Sequence, residues 1–322
     1  MRSLRDYVFL ARDFWRFVRG KDYFRQSQGL GSYFVDERCY YNDLRGKAVW
    51  RGAHLSNVPA LYIPSQDRNV ISPCMVMLYG LGNLDRFFLE TNPTFLANSR
   101  NVAAWLVDNV RPEGYWDGGF MALDTAHRYY SNNSSMNQGL ALSFLVRILE
   151  YRLIEGDLAD RAHMLVKAVV SNMLLPIAAQ GTALRAGDDL FFCEFARTDD
   201  CVVLNGWIYG VFGLWDYCRF YEDSAAEAAL EATLRTLQKF LPSYRLPDDW
   251  SLYDNRGRVA SPFYHDLHIS LLDALHRLTG DSVFAAHLAA FERANSRRNR
   301  VRYMMGKIRE KLTDTEAYGS EG

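Results

Sequence analysis

Hydrophobic and polar positions follow the same order in four successive stretches of the chain. Each stretch begins with a long apolar segment, continues through a short acidic turn, and ends with a segment that has one charged face. The stretches begin at Ser72, Ser134, Val202 and Ser261, a spacing of about 60 residues. Because one pair of helices cannot bury both of its faces, such pairs pack side by side. The pattern predicts an all-α fold, an α/α toroid that is an incomplete (α/α) barrel of about four helix pairs.

The two helices of each predicted pair differ in composition. The first helices carry glycine, serine, asparagine and aromatic residues, as in residues 78–83, 136–139 and 204–206. The second helices, such as residues 160–170 and 225–239, alternate charged and apolar positions. Small residues suit a crowded inner ring, whereas an outer ring needs a solvated face. We therefore expect the first helices inside, with their ends facing a central cavity.

The first 70 residues lack this repeat. Residues 1–21 are basic and aromatic, and charges interrupt their apolar positions, which predicts an amphipathic helix packed on the body; a helix at a membrane interface is the alternative. Residues 32–35 and 60–63 have extended character and predict a small β element. We expect three parts: residues 1–70 as a helix and short β extension, residues 71–300 as the barrel, and residues 301–322 as a basic, then polar tail that is partly disordered.

Composition and charge exclude several classes of protein. Hydrophobic residues make up 49% of the chain, enough for a large globular core. Lys and Arg number 37 against 38 Asp and Glu, so no bulk positive field attracts nucleic acid. The longest apolar run, residues 201–218, contains Asn205 and Asp216 and is shorter than the ~20 residues of a membrane helix. We expect neither a nucleic-acid partner nor a membrane span.

The cysteines and the N-terminus bear on cellular location. The five cysteines are scattered and form no CxxC pair, which is typical of a reduced compartment. No small-residue cleavage site follows the N-terminal stretch, so it does not match a signal peptide. We expect a cytoplasmic protein, and both peripheral membrane association and a homodimer are compatible with the sequence.

Ionisable and aromatic residues concentrate in the loops that enter the inner helices. At the fourth helix, Tyr264, His265 and His268 follow one another, and the two histidines lie one turn apart. A metal site needs a third ligand that the sequence does not place in register, so we expect no metal and no other cofactor. We expect His268 to form a hydrogen bond in the core and Tyr264 and His265 to contact substrate. No fingerprint for acyl, phosphoryl or hydride transfer is present.

Four motifs in order along the chain carry a resemblance to a known family. Residues 134–139, 194–195 with 203–209, 252–256 and 264–269 resemble the C-terminal catalytic domain of D-glucuronyl C5-epimerases. Residues 78–82 resemble the family's YGL segment, so the similarity covers about residues 70–295. The resemblance implies an α/α barrel that epimerises hexuronic acid residues at C5, of glucuronate to iduronate type. It also implies a uronic-acid-containing, heparosan-like polysaccharide as substrate and a compact, bacterial-style member.

The resemblance assigns roles to particular residues. Inversion at C5 removes a proton next to a carboxylate and returns one to the other face, so the site needs acid/base groups and a partner for the carboxylate. By resemblance, Glu194, Tyr253 and Tyr264 are catalytic and Arg256 lies near the substrate carboxylate. A cation such as Arg256 or protonated His265 would favour a tyrosine phenolate. The remaining expected substrate-binding residues are His265, Asn205, Gln138 and Tyr209.

The chain departs from the family at one position. The family pattern is Glu-Tyr, whereas this chain has Glu194-Phe195, and phenylalanine transfers no proton. Two alternatives to an epimerase therefore stay open. One is a polysaccharide lyase, because C5 deprotonation followed by loss of the 4-O substituent gives β-elimination. The other is a glycan-binding protein in which Phe195 marks lost catalysis.

Overall fold

The computed structural model describes residue 26 and residues 28–63, 67–118, 131–197 and 200–313, with side chains described as far as residue 306. The helix predicted near the N-terminus lies outside these ranges. So does the final part of the predicted tail, residues 314–322.

Helices dominate the described residues, and they occur as successive pairs. They are α1 (Pro73–Glu90) and α2 (Pro93–Asn109), α3 (Ser135–Glu150) and α4 (Gly156–Met173), α5 (Leu204–Phe220) and α6 (Ser224–Phe240), α7 (Pro262–Thr279) and α8 (Ser282–Ala294), then α9 (Arg297–Thr313). The predicted all-α fold is confirmed. The stretch expected as a tail from residue 301 begins inside α9.

Serine side chains set the starts of three first helices where the sequence pattern places them. Ser72 Oγ accepts a hydrogen bond from the Met75 N–H, and Ser134 Oγ accepts one from the Asn137 N–H. Ser261 caps α7 in the same way, by accepting from the Tyr264 N–H. Each cap satisfies a backbone donor that the helix itself leaves unpaired.

The named β-strands of the described residues form three two-stranded antiparallel pairs. Strands β1 (His54–Leu55) and β2 (Val58–Pro59) pair antiparallel, as do β3 (Leu61–Ile63) with β4 (Arg68–Val70) and β5 (Ala183–Ala186) with β6 (Asp189–Phe192). The predicted β element before α1 is present as strands β1 to β4. The expectation of an extended segment at 32–35 is wrong, because the Val35 and Asp36 N–H groups both donate to Ser32 O and close a 3₁₀ turn over Ser32–Phe34.

The first helices of the pairs form the inner layer. Helix α1 packs on α3, α3 on α5, and α5 on α7, while each second helix packs on its own partner. Nearly all of α3 and α5 is buried, whereas α4 and α6 bury one face. This order agrees with hairpins placed side by side. Closure of the series into a toroid stays a prediction.

Helices α3 and α5 touch through glycine. A Cβ on Gly213 would lie 2.4 Å from Gly139 Cα, and a Cβ on Gly139 would lie 2.1 Å from Tyr209 O. Only glycine allows backbones to approach this closely. The contact brings the starts of the two helices together, where Ser135 Oγ donates to Gly206 O at 3.5 Å.

A buried ion pair fastens the segment before α1 to the inner helices. Arg147 on α3 pairs with Asp216 on α5, and both side chains are fully buried. The Tyr41 hydroxyl donates to the Asp216 carboxylate, and Arg147 Nε donates to Cys39 O at 3.2 Å. Residues 39–41 therefore belong to the core. None of the helices within the described ranges is long and apolar enough to cross a membrane.

Candidate active site

Glu194 lies at the start of α3, directly after β6. The Cys193 N–H donates to Thr182 O at 2.9 Å, and Cys193 O accepts from the Ser135 N–H at 3.1 Å. These two bonds fix the backbone that carries Glu194 against the first turn of α3. The Glu194 residue is 8% exposed.

The Glu194 side chain rests on the first turn of α5. A Cβ on Gly206 would lie 2.6 Å from Glu194 Oε2, so this glycine makes room for the carboxylate. Oε2 is buried and has no hydrogen-bond partner in the structure. Burial raises the pKa of Glu194 to about 7, and the positive charge of Arg258 opposes that increase. A carboxylate in this state accepts a proton at neutral pH.

Tyr253 reaches the same place from a different loop. The Leu204 N–H at the start of α5 donates to Tyr253 O at 3.0 Å, and Val203 pairs antiparallel with Asp254. The pKa of the Tyr253 phenol is raised well above its usual value, mainly by burial and next by the charge of Glu194. Tyr253 is therefore a neutral phenol in the electrostatic reach of Glu194.

Tyr264 joins them from the first turn of α7. Its ring meets that of Tyr253 edge to face, with the ring centroids 4.7 Å apart. A hydrogen bond with Tyr264 is a further, smaller cause of the raised pKa of Tyr253. Tyr253 thus contacts Tyr264 at the starts of α5 and α7 and feels the charge of Glu194 at the start of α3.

Asp254 organises the loop that follows Tyr253. This carboxylate is fully buried, and Oδ1 accepts from the N–H groups of Arg256 at 3.0 Å and Arg258 at 3.1 Å. Oδ2 pairs with Arg258 Nε, and Gly257 supplies the turn with φ +82°. These bonds fix the loop backbone at Arg256 and Arg258 relative to the buried Asp254 carboxylate.

Arg258 is a candidate functional residue that the sequence analysis did not name. Its guanidinium carbon lies 5.0 Å from the Tyr253 ring centroid, and its charge opposes the raised pKa of Glu194. Arg256, the arginine assigned by resemblance, lies in the same loop, and both arginines are exposed. The available sequence signal was the short segment from Asp254 to Arg258 with Gly257, because a turn at a glycine can bring an arginine back to an aspartate.

His265 occupies the interior instead of the predicted place at a cavity mouth. It has no exposed surface, its ring stacks on Trp250 with centroids 3.8 Å apart, and Nε2 lies 3.0 Å from Phe291 O. Burial lowers the pKa of His265 to about 4, so its ring is neutral at pH 7. This residue does not supply the cation that the sequence interpretation sought for a tyrosine.

His268 forms the predicted hydrogen bond in the core. Its Nδ1 lies 2.9 Å from Ser251 Oγ, which is also 2.8 Å from His265 Nδ1. Burial lowers the pKa of His268 to about 3, and its Nε2 is buried without a hydrogen-bond partner. Within the described residues, no group of three His, Cys, Asp or Glu side chains is arranged to hold a metal.

Two of the predicted substrate-binding residues are engaged in the scaffold. Gln138 Nε2 donates to Asn172 Oδ1 at 2.8 Å, and its Oε1 accepts from Thr182 Oγ1 at 2.9 Å. The Tyr209 hydroxyl is 2.9 Å from Asn42 Oδ1 and 3.1 Å from Gln28 Oε1. These bonds tie α3 and α5 to neighbouring segments, so a substrate would have to displace them.

Asn205 differs from those two residues, because part of its amide has no partner. It is 2% exposed, and its Oδ1 is buried without a hydrogen bond. It precedes Gly206, on which Glu194 rests. Two buried oxygens without hydrogen bonds thus lie at the first turn of α5. Asn205 Oδ1 belongs to that turn, and Glu194 Oε2 packs against it. Buried polar atoms without a partner are uncommon in folded proteins, and a catalytic role is one explanation for them.

The groups gathered here suit proton transfer next to a carboxylate. Glu194 accepts a proton near neutral pH, Tyr253 and Tyr264 present phenol hydroxyls, and Arg258 provides a positive charge. The family profile described as D-glucuronyl C5-epimerase C-terminus matches residues 125–293, which include all four groups. That match spans more than half of the chain and confirms the resemblance seen in the motifs. The chain belongs to the D-glucuronyl C5-epimerase family.

Proposed function

We propose that this protein inverts the configuration at C5 of hexuronic acid residues in a polysaccharide. The observation that carries the proposal is the buried, unpartnered Oε2 of Glu194, on a carboxyl group whose pKa is raised to about 7 beside two tyrosines. A carboxyl group whose pKa lies near neutral pH is suited to general acid/base catalysis.

Glu194 acts first, as the base. It takes the C5 proton, and the C–H bonding electrons move into the adjacent carboxylate, which becomes an enediolate with a second negative charge. The Arg258 guanidinium, held by Asp254, stabilises that charge. A tyrosine hydroxyl then donates a proton to C5 from the opposite face and becomes a phenolate. Proton exchange with solvent returns both groups to their starting states.

Tyr264 is the proposed proton donor, and Tyr253 supports it. The edge-to-face contact of the two rings fixes the Tyr264 ring. Asn205, with its unsatisfied Oδ1, is the proposed hydrogen-bond partner for a sugar hydroxyl. The assignment of Arg256 to the substrate carboxylate stays a prediction from the resemblance, to be separated experimentally from the role of Arg258.

The proposed substrate is a heparosan-like chain with glucuronate converted to iduronate, in line with the family to which the chain belongs. A cytoplasmic location and a homodimer stay predictions of the sequence.

Incubation of a heparosan-like polymer in heavy water tests the proposal. We expect deuterium at C5, intact chains, and a mixture of glucuronate and iduronate. Unsaturated chain ends would instead identify the lyase. Binding without deuteration would identify the glycan-binding alternative, for which the Phe195 replacement is the motivating observation. The Glu194→Gln protein is the matched control, because it keeps the shape of the side chain and removes its basicity.

A further inference from the structure

The outward side of α9 combines arginines with exposed apolar residues. Arg297 and Arg298 are exposed, and Val301 and Met305 are 58% and 59% exposed. Arg297, Val301 and Met305 are four residues apart, so they share one face of the helix. Exposed arginines beside exposed apolar side chains are the two kinds of group that an anionic lipid surface can accept, at its phosphates and at its acyl chains.

The inward side of α9 is fastened, so this orientation is fixed. The Tyr303 hydroxyl lies 2.7 Å from an Asp248 carboxylate oxygen, and the Tyr303 ring stacks on Trp250 with centroids 4.4 Å apart. Arg300 Nη1 donates to Asp266 Oδ1 at 2.6 Å. Turning Val301 and Met305 toward the protein would break these contacts.

A cavity of about 410 Å³ continues the apolar surface between α9 and the start of α7. Its lining is mostly apolar and includes Pro262, Val301, Met304 and Met305, with Arg297 and Arg300. Apolar surface thus extends from the exposed face of α9 into a recess beside the helix.

The charge of α9 differs from that of the whole chain. Its sequence holds seven arginines and lysines and one glutamate, whereas the chain has net charge -1. Arg300 and Arg302 pair with Asp266 and Asp248. Arg297 and Arg298 form no ion pair with a residue in the described ranges. Arg297 and Arg298 therefore keep positive charges at the surface that a negatively charged partner would complement.

We propose that the outward face of α9 docks the protein on an anionic membrane surface. Val301 and Met305 enter the lipid interface, and Arg297 and Arg298 meet the phosphate groups. A hydrated glycan would leave the exposed valine and methionine without apolar partners. In a symmetric dimer the same patch faces itself, which would bring like charges together. The inference is independent of the proposed epimerase activity.

Sedimentation with vesicles tests this proposal on the full chain. We expect binding to phosphatidylglycerol–phosphatidylcholine vesicles, little binding to pure phosphatidylcholine, and loss of binding at high salt. Arg297→Gln with Arg298→Gln should weaken binding about fivefold per arginine, so about 25-fold for the pair. Val301→Ser with Met305→Ser should weaken it about tenfold or more.

Two matched controls separate this face from general surface effects. Met164 on α4 is 64% exposed, and Arg235 on α6 has a side chain that is 67% exposed. Met164→Ser and Arg235→Gln should bind vesicles like the unmodified protein. Equal losses in these controls, or no preference for anionic vesicles, would overturn the proposal. So would light scattering that shows an oligomer dissociated by the Val301 and Met305 changes, because that outcome assigns the face to a second copy of the chain.

Discussion

The rings of Tyr253 and Tyr264 meet edge to face with their centroids 4.7 Å apart, although the two residues come from different elements. Tyr253 lies beside the start of α5, where its carbonyl accepts the Leu204 N–H, and Tyr264 lies in the first turn of α7. The contact joins two helix starts at the carboxylate of Glu194.

Tyr264→Phe should abolish proton donation while preserving the fold. The ring still packs on Tyr253, so the melting temperature should barely change, and C5 exchange should fall by ~10²- to 10⁴-fold. Deuterium incorporation and thermal unfolding measure the two effects. Tyr253→Phe is the control and should retain more activity. An unchanged rate of C5 deuterium exchange in the Tyr264→Phe protein would contradict this role and would make Tyr253 the candidate proton donor.

Glu194→Gln should change how stability depends on pH. The pKa of Glu194 is raised from 4.5 to about 7 on folding, so the folded protein holds an extra proton between these values. Its contribution to the free energy of unfolding therefore falls as pH rises through this window, by about 3 kcal/mol in all. Urea unfolding at about pH 5 and about pH 8 should show a smaller decrease for Glu194→Gln.

Asp85 supplies the control for that measurement. Burial raises the pKa of Asp85 to about 7 as well, so Asp85→Asn should also reduce the decrease in stability with pH. Only Glu194→Gln should remove C5 exchange. An unchanged pH dependence of unfolding in the Glu194→Gln protein would contradict the raised pKa of Glu194.

Arg258→Gln should affect catalysis more than Arg256→Gln. Loss of the Arg258 charge removes an influence that lowers the pKa of Glu194, so the acidic limb of the kcat/KM profile should shift to higher pH. Weaker stabilisation of the enediolate should also reduce kcat/KM by about 10²-fold. The Arg256→Gln profile should keep its acidic limb. A larger loss of kcat/KM in the Arg256→Gln protein would contradict this prediction and would assign the contact with the substrate carboxylate to Arg256.

Phe195→Tyr restores the residue of the family pattern. We expect C5 exchange to change by less than about threefold, because Glu194, Tyr253 and Tyr264 already supply a base and an acid. Rates of deuterium incorporation in the two proteins provide the comparison. A rise of about tenfold or more would identify Phe195 as the cause of weakened catalysis.

Arg147→Met should destabilise the core by about 3–5 kcal/mol, because it leaves the Asp216 charge buried without its partner. Arg147→Met combined with Asp216→Leu should recover much of the loss, since no charge then remains. Urea unfolding measures both. A single variant as stable as the unmodified protein would show that the pair does not hold residues 39–41 in place.

The sequence by itself determined the helix pairs and most of their starts. Ser72, Ser134 and Ser261 cap helices where the pattern places them. This success has a local cause, because a cap acts on the next turn of its own helix and the apolar period reports which face is buried. The motifs around Glu194 and Tyr264 also led to the family that the profile match confirms.

Only the tertiary structure decided which of the predicted polar residues are engaged in the scaffold. His265 turns inward because Trp250 and Phe291 meet it there, and Gln138 is held by Asn172 and Thr182. Arg258 lies over Tyr253 because the buried Asp254 fixes the loop. A polar side chain takes the partner that packing brings to it, and for His265 and Gln138 that partner is distant in sequence. Residue type and spacing in the sequence indicate candidate site residues, and tertiary packing determines which of them are held by the scaffold.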